Sequence, residues 1–319
     1  MERQTEARPS RIATVLVPTD FSQESFKALR YGAALVRKFS AKLHVVHVSE
    51  IDFAAPGPAL LGEEPLISDA EIAQTVKEQI EGETGPSIAA TFHGRTGRAF
   101  DQICRFAREI EADLIVMSTH GRTGLKRIFL GSNAERVVQH SSSPVLVVRQ
   151  GEQEVIAEGK SLQIQKILVP TDFSGSSIEA LDYAVEFGRQ FNARLVLFHC
   201  FNIPEFISSD PYGPYNIRHT PEEARMAAED QMREFVKGFD FGGVPFETQI
   251  TMGRPAEEIC AYAEQDRIDL IITSTHGRTG FMHVLIGSVA EHTVRYARSP
   301  VLVVPNSVKH SNASASAHL

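Results

Sequence analysis

The chain has 319 residues, of which 42 % are hydrophobic, and it carries a formal net charge of −8. This length suffices for two domains with buried cores, and the negative charge argues against a general affinity for nucleic acid or anionic membranes. No apolar run approaches the roughly 18 residues that span a bilayer, and the polar start MERQTEARPSR lacks the apolar core of a signal peptide. With three cysteines and no metal-knuckle spacing, these features predict a cytoplasmic protein with neither nucleic acid nor membrane as a partner.

Short apolar runs alternate with amphipathic stretches along the first half. Ser22 is the predicted N-cap of the first helix, on which Phe26, Leu29, Ala33 and Val36 recur at helical spacing. The predicted strands are 13–17, 42–48, 87–93, 113–118 and 144–148, and the further predicted helices are 69–80, 99–110 and 133–140. Alternation of this kind predicts a parallel sheet with helices on both faces, and right-handed crossovers make it a doubly wound, Rossmann-like α/β domain.

The second half repeats the first. Pro18 corresponds to Pro170, an offset of 152, and Gly97 corresponds to Gly253, an offset of 156. The heptapeptide STHGRTG occurs at 118–124 and again at 274–280, each time after an apolar run. The repeat predicts two tandem Rossmann-like domains, each with a five-stranded parallel sheet. The predicted boundaries are 1–150 and 151–307, followed by a tail at 308–319 whose small, polar residues predict disorder.

The heptapeptide lies at the carboxyl end of the fourth predicted strand, the edge where ligands bind in such sheets. Nine residues separate Gly121 from Gly131, and the same spacing separates Gly277 from Gly287; in both cases a Gly-Ser pair opens a helix. Free amides at the helix N-terminus, its partial positive charge and the serine hydroxyl together suit a phosphate group. The alternative is an ordinary glycine turn with a serine cap, because a duplicated structural turn would also repeat.

Asp20 and Asp172 end the first strand of each half, in the sequence PTDFS. A carboxylate at this edge can accept a hydrogen bond from a ribose hydroxyl or an adenine amino group. Each aspartate can instead cap the following helix together with Ser22 or Ser174. The sequence leaves both roles open.

No catalytic or metal-binding residue is assigned. Ser118 and His120 would share one side of an extended strand, but no third orienting residue accompanies them in either half. The chain has no GxSxG, Walker, HExxH or CxxC motif. His44 and His47 are three apart on a strand, on opposite faces, and make a poor metal pair. We interpret His120 and its copy as residues that position the loop.

The motifs VPTDFS, HV or HC, GRA or GRP, STHGRTG with its nine-residue gap to GS, and a closing SPVLVV occur in this order in both halves. Their combination resembles the universal stress protein family over nearly all of both halves, and the chain looks like a tandem, two-domain member. Many members bind ATP through a motif of Gly, two residues, Gly, nine residues, Gly and then Ser or Thr. The resemblance therefore implies a stress-response protein that binds ATP as a regulatory ligand.

The resemblance also implies the contact residues. In the first half they are Pro18, Thr19, Asp20, Val48, Ser118, His120, Gly121, Arg122, Gly131, Ser132 and Asn133. In the second half they are Pro170, Thr171, Asp172, Cys200, Ser274, His276, Gly277, Arg278, Gly287, Ser288 and Val289. The first motif glycine is replaced by Ser118 and Ser274, whose side chains either crowd the adenosine or add a hydrogen bond. Mg²⁺ would bridge the phosphates and need few protein ligands.

The two sites differ in charge. Between the second and third motif glycines the first half has Lys126 and Arg127, where the second has Met282 and His283. If Lys126 and Arg127 face the phosphates, the first site holds a polyphosphate more tightly than the second. The alternative is that both side chains lie on a solvent-exposed face and do not contact the ligand.

Three functions stay open at this point: a nucleotide-dependent regulator, a slow ATPase, and an interaction module that keeps the fold without binding nucleotide. The fifth strand, PVLVV, would be a hydrophobic sheet edge that needs a partner. In the family such edges pair between domains, which predicts pairing of the two copies within one chain and allows a homodimer of chains.

Overall fold

The computed structural model describes residues 12–50, 68, 70–71, 74–75, 78, 89–118, 131–149, 162–202, 220–275 and 286–306. The chain divides into two compact units, one built around the N-terminal copy of the repeat and the other around Ile164–Val301. Each unit alternates strands with helices and builds a parallel sheet, so the predicted α/β fold class is confirmed.

The first half contains a parallel sheet with strand order β3-β2-β1-β4-β5. The strands are β1 (Thr14–Thr19), β2 (Lys42–Ser49), β3 (Ala90–Thr96), β4 (Leu114–Ser118) and β5 (Val145–Val148). The helices with complete bounds are α1 (Gln23–Phe39), α2 (Ala99–Glu109) and α3 (Ser132–His140). Val15, Leu16 and Val17 in β1 are fully buried, as expected for a central strand covered on both faces.

One predicted element of the first half is described only in part, and another differs from the structure. The predicted helix 69–80 lies mostly outside the described residues; of its members, 70, 71, 74, 75 and 78 are helical. The predicted strand 87–93 is observed as Ala90–Thr96, three residues further along at its end. β3 is the edge strand, so its extent follows its pairing with β2, from Leu43–Ala90 to Ser49–Thr96, rather than its apolar residues.

The second half repeats this arrangement, with the parallel order β9-β6-β7-β8. The amide of Ile271 in β9 donates to the carbonyl of Pro300, which directly precedes β10. The strands are β6 (Lys166–Pro170), β7 (Arg194–Phe201), β8 (Phe246–Met252), β9 (Leu270–Ser274) and β10 (Val301–Val304). The helices are α4 (Gly175–Phe191), α5 (Pro221–Lys237), α6 (Pro255–Gln265) and α7 (Ser288–Tyr296).

A duplicated aspartate fixes the start of the central strand in each half. Asp113 Oδ2 accepts hydrogen bonds from the amides of Ala13 and Thr14, both at 2.9 Å. Asp269 Oδ2 accepts from the amides of Gln165 at 2.7 Å and Lys166 at 2.9 Å. Each carboxylate directly precedes the fourth strand of its half, so these charge-assisted bonds align that strand with its neighbour.

The two histidines of β2 lie on opposite faces of the first sheet, as their spacing predicts. The ring of His47 lies 4.7 Å from that of Phe21, which precedes α1, whereas His44 lies 6.4 Å from Phe106 of α2. Helices therefore cover both faces of the sheet.

His44 also forms a hydrogen-bonded pair with His93 of β3. Its Nδ1 lies 3.1 Å from His93 Nε2, and the rings are nearly coplanar, 15° apart, with centroids separated by 5.3 Å. One of the two facing nitrogens must donate and the other must accept, so the contact requires that one of them carry no proton. Burial, with a smaller contribution from the nearby charge of Lys42, lowers the pKa of His44.

We expect acid to destabilise the first half through this pair. Because the folded-state pKa of His44 is lowered, the unfolded chain binds protons more readily below about pH 6.5. The free energy of unfolding should therefore fall as the pH drops below that value, by about 1 kcal/mol if the hydrogen bond is lost. Arg95, whose guanidinium lies 4.7 Å from the Phe106 ring and which pairs with Glu109, keeps a further cation near the pair.

Urea unfolding at pH 7.5 and pH 5.5 measures this effect. The matched variant is His44→Val, because the equivalent residue in the second half is Val196. The free energy of unfolding of the variant should depend less on pH than that of the wild type. An unchanged pH dependence would contradict the assignment of the effect to the pair of His44 and His93.

Candidate functional site

The strand order creates a crevice at the carboxyl edge of each sheet. From β1 the chain crosses to β2 on one side, whereas β4 and β5 lie on the other side, so the order reverses between β1 and β4. In the second half the corresponding point lies between β6 and β9. Doubly wound sheets bind ligands at such switch points. The pairing of Val15 with Leu114, continued four residues along both strands, sets Thr19 level with Ser118.

The loop after β1 folds inward around Asp20. Asp20 Oδ1 accepts from the amide of Ser22 at 3.1 Å and from its hydroxyl at 2.6 Å. Ser22 in turn caps α1, accepting from the amide of Ser25 at 3.1 Å. Phe21 takes a left-handed conformation with φ 61°, and its amide donates to Thr19 Oγ1 at 3.1 Å. One oxygen of Asp20 therefore supports the cap, as the capping interpretation predicts.

The loop after β6 repeats the bonds between aspartate and serine, although Ser174 makes no side-chain cap bond to α4. Asp172 Oδ1 accepts from the amide of Ser174 at 3.1 Å, from its hydroxyl at 2.6 Å and from the hydroxyl of Ser177 at 2.7 Å. Phe173 has φ 64°, again left-handed. Such a conformation costs about 1–3 kcal/mol for a residue other than glycine, and it persists only where surrounding contacts enforce it. The strained loop thus recurs at the switch point of both halves.

A helix N-terminus lies at this edge in the second half. The amide of Gly287, the N-cap of α7, donates to the carbonyl of Thr275 at 2.7 Å, and Thr275 directly follows β9. The N-cap residues of α7 and α3 are Gly287 and Gly131, and among the described residues no side-chain cap bond is formed at either helix start. The first turns of these helices, which contain Ser132 and Ser288, therefore begin without the side-chain cap that Ser22 gives to α1. A helix N-terminus of this kind can accept an anion.

The outer strands β2 and β7 supply the remaining contacts that the resemblance implies. Val48 and Cys200 occupy the penultimate positions of these strands and are partly exposed. The thiol of Cys200 donates to the carbonyl of Gly253 at 3.2 Å, and burial together with the charge of Glu258 raises its pKa to about 11. Cys200 is therefore a thiol near neutral pH that packs locally, and only its backbone is suited to contact a base.

The structure describes part of each predicted site. Because β1 pairs with β4 and β6 pairs with β9 in parallel, Thr19 and Ser118 end adjacent strands in the first half, and Ser274 ends the strand beside the one that Thr171 follows in the second. Pro18 lies in β1 and Pro170 ends β6. Asn133 and Val289 lie in the first turns of α3 and α7. The predicted residues outside the described part are His120, Gly121, Arg122, Lys126, Arg127, His276, Gly277, Arg278, Met282 and His283.

Sequence reasoning missed the role of the two strand histidines. It assigned no function to either residue, whereas in the structure His47 and His199 each donate to the loop that carries the aspartate. The signal available was the equal spacing in both copies between the threonine of PTDFS and the strand histidine, 28 residues in each.

The arrangement is suited to binding a ligand. The crevice combines an aspartate loop with an uncapped helix N-terminus, which fits a ligand with hydroxyl donors and an anionic group. Among the described residues no three His, Cys, Asp or Glu side chains cluster to hold a metal ion. Within that same part of the chain, no helix combines the length and the apolar character that crossing a bilayer requires.

Comparison with known proteins assigns the family. The model of the Universal stress protein family matches residues 12–149 and again 163–305. The chain belongs to the universal stress protein family. The two matches confirm the tandem arrangement, and a stress-response role is the function that this membership supports.

Tandem relatives match this universal stress protein along most of its length. A universal stress protein of Mycolicibacterium smegmatis is 27 % identical over 303 residues, covering 91 % of this chain and 96 % of the relative. A shorter one from Methanocaldococcus jannaschii is 32 % identical over 150 residues, covering 47 % of this chain and 86 % of the relative. The crystal structure of a universal stress protein from Archaeoglobus fulgidus has a TM-score of 0.61 at 22 % identity, covering 94 % of this chain and 98 % of that one, and shows the same fold.

Proposed function

We propose that this universal stress protein binds adenine nucleotide, ATP, as a regulatory ligand at the carboxyl edge of one or both sheets. The bound nucleotide would bias the surrounding loops and thereby the choice of protein partner. The base and ribose would contact the Asp20 loop and the end of β2, or their copies in the second half. The phosphates would lie at the N-terminus of α3 or α7, with Mg²⁺ bridging them.

The observation that carries the proposal is the position of α7. The bond from Gly287 to Thr275 places an uncapped helix N-terminus beside the end of β9. The pairing of β6 with β9 brings that end to the same edge as the Asp172 loop. An anion site and a carboxylate therefore flank one crevice, which suits the two ends of a nucleotide. The equal spacing of the motifs predicts the same helix N-terminus and aspartate loop at the crevice of the first half.

Mass spectrometry of the small molecules released by denaturing the purified protein tests the proposal. We expect between one and two molecules of ATP per chain, and a titration with ATP should restore binding after the ligand is removed. Absence of bound nucleotide, together with no response to millimolar ATP, would contradict the proposal and favour an interaction module. Release of phosphate over hours would identify a slow ATPase instead of a regulator.

The charge difference between the halves predicts unequal sites. Lys126→Met should weaken ATP binding to the first site about 10- to 100-fold, because a charge-assisted contact to phosphate is worth roughly 1.5–3 kcal/mol. The reciprocal variant, Met282→Lys, should strengthen binding to the second site. Isothermal titration calorimetry resolves two affinities if they differ in this way. Equal affinities in the wild type and an unchanged affinity in Lys126→Met would remove the hypothesis.

A further inference from the structure

We infer that His47 and His199 are positioning residues of the nucleotide site, each holding the aspartate loop of its half against the neighbouring strand. This inference rests on the proposed function. It adds two residues to the site that contact the loop rather than the ligand, and it concerns how the loop keeps its shape.

In the first half, His47 makes two contacts with the loop. Its Nδ1 donates to the carbonyl oxygen of Thr19 at 2.9 Å, and its ring lies 4.7 Å from the ring of Phe21. Thr19 and His47 are register partners in β1 and β2, so the bond forms where the two strands end. His47 is only 8 % exposed, so the Thr19 carbonyl takes the place of water as the partner of Nδ1.

In the second half, His199 repeats both contacts. Its Nδ1 donates to the carbonyl oxygen of Thr171 at 2.8 Å, and its ring lies 4.3 Å from the ring of Phe173. Phe235 of α5 packs on the other side of this arrangement, with its ring 5.5 Å from that of Phe173. Two loops of the same sequence thus use the same histidine contact.

The position of each histidine connects the two segments that the nucleotide would contact. His47 directly precedes Val48 on β2, and the Thr19 carbonyl that it binds directly precedes Asp20. One side chain therefore fixes the distance between the predicted base contact and the predicted carboxylate. It also packs against Phe21, whose left-handed backbone requires support from outside the loop.

The bond needs a proton on Nδ1. The acceptor is a carbonyl oxygen, which cannot donate, so Nδ1 must be the donor in both halves.

Two variants separate the contacts of His47. His47→Phe keeps an aromatic ring against Phe21 but removes the donor to Thr19. His47→Asn removes the ring but keeps an amide donor close to the position of Nδ1. The control is His140→Phe, because His140, at the end of α3, likewise donates through Nδ1 to a backbone carbonyl, that of Arg136, and likewise has its ring near a phenylalanine, Phe100.

Amide hydrogen exchange of the full chain without ligand tests the loop contact. In His47→Phe the amides of residues 20–25 should exchange about tenfold faster, the effect of losing one part-buried hydrogen bond. His47→Asn should preserve most of the protection, and His140→Phe should leave these amides unchanged. Unchanged exchange in His47→Phe overturns the inference. Faster exchange throughout the first half in both His47 variants also overturns it, since His47 would then be a general stabilising residue.

Binding of ATP to the double variant His47→Phe/His199→Phe tests the positioning role. The dissociation constant should rise about tenfold relative to the wild type and to His140→Phe, following the loss of one hydrogen bond in each loop. A loosened loop with unchanged affinity overturns the positioning role. If the wild type binds no ATP at all, the proposed function fails and the positioning role fails with it, whereas the exchange experiment still reports whether the histidine holds the loop.

Discussion

Replacing both loop aspartates by alanine, Asp20→Ala/Asp172→Ala, should weaken ATP binding by about 10- to 100-fold, the value of a charged hydrogen bond to the ligand. Fluorescence titration with an ATP analogue measures the change. The substitution also removes the acceptor that binds Ser22 or Ser174, so a loss of stability of about 1 kcal/mol should accompany it. The experiment therefore needs a control that affects only the cap.

Ser22→Ala/Ser174→Ala provides that control. It removes the hydroxyls that donate to the aspartates and, in the first half, the cap that accepts from Ser25. It should cost about 1 kcal/mol of stability in the first half, where Ser22 caps α1, and less in the second, where Ser174 makes no side-chain cap bond to α4, but it should leave most of the ATP affinity intact. Equal losses of affinity in the two double variants would assign the aspartates to capping alone. The comparison thus decides between the two roles that the sequence leaves open.

Gly32→Ala should lower the free energy of unfolding of the first half by about 1–3 kcal/mol, the usual cost of overpacking a core. A Cβ at Gly32 would lie 2.5 Å from Val17 Cγ2, and Val17 is fully buried in the central strand β1. A valine side chain is stiff at χ1, so the contact can be relieved only by moving α1 away from the sheet. The helical preference of alanine offsets part of this cost.

Gly175→Ala is the matched control. Gly175 begins α4 in the second half, and no heavy atom outside its immediate neighbours lies within 4 Å of the added Cβ. The same chemical change should there be neutral or stabilising by about 0.4–1 kcal/mol. Chemical denaturation of both variants measures the difference. A Gly32→Ala protein as stable as Gly175→Ala would contradict the close packing of α1 on β1.

Motifs with local causes could be predicted from the sequence. Apolar runs separated by amphipathic stretches identified β1, α1, β2 and their copies, because burial on both faces selects continuous apolar strands. Ser22 was predicted as the N-cap of α1 and is observed there. The edge strand β3 was placed less well, because an exposed strand has no strong apolar pattern and takes its extent from the pairing register.

The residues of the candidate site also fall into those that the sequence predicts and those that it does not. The glycines, serines and aspartates at the strand ends were found from the repeat and the family motifs, because turns and helix starts restrict residue type locally. The double role of the Asp20 loop was left open, because capping and ligand contact use the same carboxylate. The His47 contact was missed, because the residues that it joins are 28 apart and become neighbours only in the sheet.

The sequence by itself determined that this chain is a tandem pair of α/β domains of the universal stress protein family, since the repeat, the periodicity and the motif order are all visible in one dimension. Only the tertiary structure decided which side chains meet across strands. It placed His47 on Thr19, Asp113 on the start of β1 and Gly32 against Val17. These contacts depend on strand order and register, which bring together residues far apart in the chain, and no local pattern encodes them.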